Sequence, residues 1–95
     1  MNIIEVKERL QDIKKAHRGG DFDYNTMFKV DRDAREARKL VKSIDPAHPA
    51  IAQFDKAIVI ANSKTKEEDY TKREAVGSLE YGIQLFDNTG QNNTF

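Results

Sequence analysis

The sequence predicts an all-α fold, a small antiparallel helical bundle of about four helices with a polar C-terminal tail. Three observations predict it. Apolar residues recur at alternating steps of three and four in four separate stretches, and glycine, proline or polar clusters fall between those stretches. Hydrophobic residues make up 38% of the chain and charged ones 34%, enough for one modest core under a largely polar surface. Ninety-five residues make a single domain, expected over 1–87, with the tail over 88–95.

In the first stretch, Ile3, Val6, Leu10 and Ile13 form one stripe, Glu5 and Glu8 come early, and Lys14, Lys15 and Arg18 come late. That charge order suits the helix dipole. Gly19-Gly20 then closes the helix, because glycine enters the left-handed backbone without steric cost. A first helix is expected over 2–17. In the linker that follows, Asp23 or Asn25 can accept from the first free amides of the next helix, and Phe22 and Tyr24 are expected to cover the bundle end.

The second helix, 25–44, has the longest stripe, Met27, Val30, Ala34, Ala37, Val41 and Ile44, and the rest of the chain is organised around it. Asp45-Pro46-Ala47-His48-Pro49 ends it, since neither proline can donate to a helix ladder. The next helix starts either at Pro46 under Asp45 or at Pro49 after His48. The short connection makes the two helices antiparallel neighbours.

A third helix is expected over 49–63, from Ile51, Phe54, Ile58 and Ala61; Ala57, Val59 and Ile60 widen its apolar surface and mark it as the most buried helix. The rival reading of 57–61 is a β-strand, because the run is short and β-branched; helix is preferred since 49–63 holds no internal breaker. The fourth helix, 66–87, carries Val76, Leu79, Ile83 and Phe86. Thr65 with Glu68 and Thr71 with Glu74 are alternative capping boxes for its start, and Gly77 and Gly82 are either weak points or places of close backbone approach.

Composition narrows the function classes. The chain has no cysteine, so neither a disulfide framework, a thiolate zinc site nor a cysteine nucleophile is available. Glu5, Lys7, Glu8 and Arg9 interrupt any apolar leader, and no run reaches membrane-spanning length, so a cytoplasmic protein is expected without membrane contact. Asn92-Asn93-Thr94 matches a glycosylation acceptor by chance on that reading. Sixteen basic and sixteen acidic residues cancel, so any attraction to an anion must come from a local patch.

One such patch stands out. Arg35, Arg38, Lys39 and Lys42 share one face of the second helix and are the candidate ligand-binding residues, since guanidinium and ammonium groups at that spacing grip phosphate oxygens. The structural alternative pairs Asp31 with Arg35 and Glu36 with Lys39 as ordinary surface ion pairs. No aromatic residue is read as interleaving with the stripe, which argues against single-stranded nucleic acid. Lys14, Lys15, His17 and Arg18 would extend the patch if oligomerisation brought them alongside.

Other motifs lead nowhere chemical. Asp21-Phe22-Asp23-Tyr24-Asn25 copies the first half of an EF-hand loop, but Thr26 stands where the turn needs glycine and Arg32 where the closing glutamate belongs, so no metal is expected. Gly19-Gly20-Asp21-Phe22 resembles the signature of cyclic-dinucleotide synthases, which need a far larger α/β domain. His17 and His48 read as surface histidines, and Glu67, Glu68 and Asp69 as acids at a helix start. No nucleophile, base and orienting partner can be assembled, so neither catalysis nor a cofactor is expected.

The run from Ala50 to Asn62, Ala-Ile-Ala-Gln-Phe-Asp-Lys-Ala-Ile-Val-Ile-Ala-Asn, is similar to a helix in phage sponge proteins that sequester cyclic-nucleotide immune signals. It covers about a seventh of the chain and does not assign the chain to that family. Ile60 stands in place of their tryptophan, and Ala47-His48-Pro49 in place of their Ser-Arg-Glu turn. The resemblance implies a helical hairpin, oligomers, and phosphate binding by basic and polar side chains. The expected function is a non-enzymatic interaction or assembly protein, self-associating or bound to a protein partner, of phage or accessory type. The alternative is sequestration of an anionic ligand, a nucleotide, cyclic nucleotide or nucleic-acid backbone, by the basic face of the second helix.

Overall fold

The computed structural model describes residues 1–19 and 22–89. Gly20, Asp21 and the tail from residue 90 onward, with its glycosylation acceptor, lie outside the described residues. Among the described residues four helices follow one another: α1 (Ile3–His17), α2 (Thr26–Ile44), α3 (Ala50–Ala61) and α4 (Asp69–Asp87). Residues 57–61 are helical, so the strand reading is wrong; the uninterrupted run after Pro49 outweighs its β-branched composition.

Each boundary has a local cause. At α1 the Asn2 side chain accepts from the Glu5 amide and the Glu5 carboxylate accepts from the Asn2 amide, a capping box that satisfies two free donors. Gly19 follows at φ +68°, the left-handed conformation anticipated from the sequence. Before α2, Asp23 accepts from the Asn25 amide and its own amide donates to the Thr26 hydroxyl, so the turn ahead of the helix is held by Asp23; Asn25 makes no side-chain cap. Of the two possible α3 starts the later is correct. Pro49 is the cap residue, the His48 ring Nδ1 accepts from the Ala50 amide at 3.0 Å, and its carbonyl accepts from Ile51.

The start of α4 corrects both capping-box readings. Glu68 is the cap residue without a side-chain bond, and Thr71 lies inside the first turn with its hydroxyl bonded to that of Thr65 at 2.9 Å. The polar segment 62–68 coils through turns instead of extending the helix back to residue 66.

The predicted stripes form the core, except that Ile3, at the exposed start of α1, lies outside it and Ile44 and Ile58 are only partly buried against it. Val6, Leu10 and Ile13 of α1 meet Met27, Val30, Ala34, Ala37 and Val41 of α2, Ile51, Phe54, Ala57 and Ala61 of α3, and Val76, Leu79, Ile83 and Phe86 of α4. The pairing is antiparallel. From Arg9 to His17 along α1 the partners on α2 run backwards from Glu36 to Asp33, and Asp31 and Arg38 of α2 meet Asn62 and Asp55 of α3 in reverse order. α3 packs extensively on α2 and α4, whereas α1 touches either neighbour far less. Yet α3 is not buried all round: Val59 is 69% exposed, and Ile58 and Ile60 are only partly covered. Gly82 explains how closely α3 and α4 approach, since a Cβ there would lie 2.6 Å from the Phe54 ring. Gly77 faces open space among the described residues.

Candidate functional site

The predicted basic face divides in two. The Arg35 Nε donates to both Asp31 oxygens at 3.1 Å, one turn back on α2, and the Arg38 Nε donates to Asp55 of α3 at 2.6 Å. Together with Asp55, Ile58 and Val59, these two arginines line an open depression of about 450 Å³ between α2 and α3. Lys39 and Lys42 are exposed, do not line that depression, and hold no ion-pair partner among the described residues. The sequence thus placed four cations on one flank, of which the structure brings two to a common cavity.

The carboxylates there decide the electrostatics. Burial pulls the Asp31 carboxyl up, but hydrogen bonds from Arg35 and Asn62, with the Arg35 charge, outweigh it and hold the group below its ordinary value. Asp55 compensates Arg38 within the depression and Asp31 compensates Arg35 from outside it, so an incoming anion must take guanidinium hydrogen bonds from Asp31 or Asp55. The ammonium groups of Lys39 and Lys42 carry the uncompensated charge. Glu36, by contrast, does not pair with Lys39; it forms a two-bond clasp with Arg9 of α1, Nε to Oε2 at 2.6 Å and Nη2 to Oε1 at 2.9 Å. That clasp raises the Arg9 guanidinium above its ordinary value.

Aromatic residues do flank this face, contrary to the sequence reading. Phe28 lies seven residues before Arg35, which lies seven before Lys42, so the three form one line along α2, and the Phe28 side chain is 67% exposed. Tyr24, expected to cover the bundle end, is 81% exposed instead, while Phe22 does pack against the core. Tyr24, Phe28, Asp31, Asn62 and Lys66 border a second depression where α2 begins and α3 ends. The spacing of Phe28 relative to Arg35 was the available signal.

Both histidines are structural, not surface residues. The His17 Nε2 lies 2.7 Å from the Asp33 Oδ2, with side chains only 6% and 8% exposed, and the other Asp33 oxygen accepts from the Arg32 Nε at 3.1 Å. His48 bonds the Thr89 hydroxyl through Nε2 at 2.7 Å while its ring meets the Phe86 ring edge-on. Asp33 could have been found from the sequence: it stands three residues after Val30 and four before Ala37, on the core side of the longest stripe, where an acid needs a partner.

No helix of the described residues is long and apolar enough to cross a membrane. Comparison with known protein families, curated proteins and solved structures gives no match.

Proposed function

We propose that this chain is a non-enzymatic interaction protein that works by associating with itself. The observation supporting this is the set of large apolar side chains outside the core: Tyr24, Phe28, Val59, Tyr70 and Tyr81 are each more than half exposed on a 95-residue chain. Val59 adjoins Ile58 on the α2–α3 side, and Tyr70 and Tyr81 stand on α4, so the surplus apolar surface is spread over two faces of the bundle, either of which offers area for an interface. Light scattering across a concentration series tests the proposal; a monomer mass at the highest concentration would end it.

A second reading is capture of an anionic ligand with an aromatic ring, a nucleotide or cyclic nucleotide, on the α2 flank. The line of Phe28, Arg35 and Lys42 favours it, since a ring that can stack on a base and cations that can meet a phosphate lie on one face. The likeness of 50–62 to the sponge-protein helix points to the same chemistry. Binding should weaken steeply as salt rises, and the double variant Arg35→Glu, Arg38→Glu should abolish it while the helical signal persists; unchanged affinity in that variant removes the reading.

A further inference from the structure

The outward face of α4 carries a pattern unrelated to the basic flank. Tyr70, Arg73, Glu74, Gly77, Glu80 and Tyr81 fall on one side of the helix. Tyr70 is 60% exposed and Tyr81 54% exposed. Gly77, between them, meets no described atom within 4 Å of where its Cβ would be, and with Arg73 and Glu80 it lines an open depression whose other wall is His17, Arg18 and Phe22. In the middle of an exposed helix it weakens the helix relative to alanine. Neither Arg73 nor Glu80 has an ion-pair partner among the described residues.

The charges are arranged symmetrically. Arg73 and Glu80 lie at equal distances from a point beside Gly77, about 5 Å to either side at the rise of an α-helix. A two-fold interface needs this relation: whatever residue i meets on the second copy, that residue must meet i in return. If two α4 helices cross antiparallel at that point, each Arg73 reaches the level of the second copy's Glu80, and each Tyr70 lies within about 3 Å, along the axis, of the second copy's Tyr81. The bare glycine backbone lets the axes approach, as Gly82 does for Phe54 on the inner side of the same helix.

We propose that α4 is a self-pairing surface, and that its occupant is a second copy of this chain crossing antiparallel at Gly77. This rests on the self-association reading above and assigns it a place. The interface is closed by one aromatic contact and one ion pair on each side, and it leaves the α2–α3 flank free.

The test is sedimentation velocity on the full chain, with circular dichroism as the check of folding. Gly77→Gln should keep the helical signal, because its side chain meets open space among the described residues, yet the mass should fall from that of a dimer to that of a monomer. Arg73→Glu should also lower the mass, and Arg73→Glu with Glu80→Arg should restore it. A wild-type monomer would overturn both this proposal and the reading it rests on. A wild-type assembly unchanged in Gly77→Gln and Arg73→Glu would overturn only the α4 assignment, as would failure of the double charge reversal to restore a lowered mass.

Discussion

Gly77 and Gly82 stand five residues apart on one helix and have opposite roles. Half-turn geometry turns Gly82 to the core, beside Leu79, Ile83 and Phe86, and Gly77 away from it. Gly82→Ala forces the Phe54 ring to shift and should destabilise the fold by about 1–3 kcal/mol. Gly77→Ala should stabilise the isolated chain by about 0.5–1 kcal/mol. Urea unfolding of both variants, under dilute conditions, measures the difference in sign. The sequence reading left the two glycines undistinguished, although Gly82 stands three residues after Leu79 and four before Phe86, on the side of the fourth stripe, and Gly77 has no such relation to it. His17 and Asp33 were less legible, because a contact between helices sixteen residues apart leaves no local spacing to recognise. Asp33→Ala leaves a buried imidazole without its partner, at a cost of about 1–3 kcal/mol in the same experiment. Asp31 adds a pH dependence. Its folded value lies below the ordinary 3.8, so its contribution is complete above the unfolded value and is lost as pH falls through the folded one. Acid titration of Asp31→Asn should therefore show a shallower loss of stability below about pH 4 than the parent chain.

The helices themselves were legible because all four stripes have the α-helical period and a breaker between them. Boundaries were less so. The sequence offered two capping boxes for α4 and the chain uses neither, while the box it does form, between Asn2 and Glu5, went unread. α1 shows a different limit of pattern reading. Its apolar stripe buries Val6, Leu10 and Ile13 as fully as the others bury theirs, and polar contacts from both flanks add to that hold. Arg9 and His17 reach Glu36 and Asp33 of α2; Lys14 reaches Gln84 of α4 and Lys7 the Thr89 carbonyl beyond it. Exposed ion pairs are worth at most about 1 kcal/mol each, and salt screens them. Amides of α1 should therefore exchange with deuterium faster than those of α3, and the gap should widen in Glu36→Gln; equal protection in both helices would contradict this weighting.

At the scale of the whole molecule, the bundle is an elongated body, 42 × 25 × 24 Å, with two unlike outer surfaces. One carries the arginines and an exposed aromatic line; the other carries two tyrosines around a bare glycine. Composition could not separate them, because the net charge of zero averages over both. Assembly through α4 would depend on paired charges at the edge of an aromatic contact. Raising ionic strength should weaken it only in part, whereas binding of an anion to the α2 flank should fall steeply. Running both titrations on the same preparation distinguishes the two surfaces without any substitution.

The ring of Phe54, lodged against the backbone of Gly82, has a kinetic consequence. To rotate by a half turn about its Cβ–Cγ bond it must sweep through space that α4 occupies, so α3 and α4 have to part briefly each time. Its two edges should give separate proton resonances on the NMR timescale, merging on warming, and the merging rate becomes a clock for how often the bundle breathes.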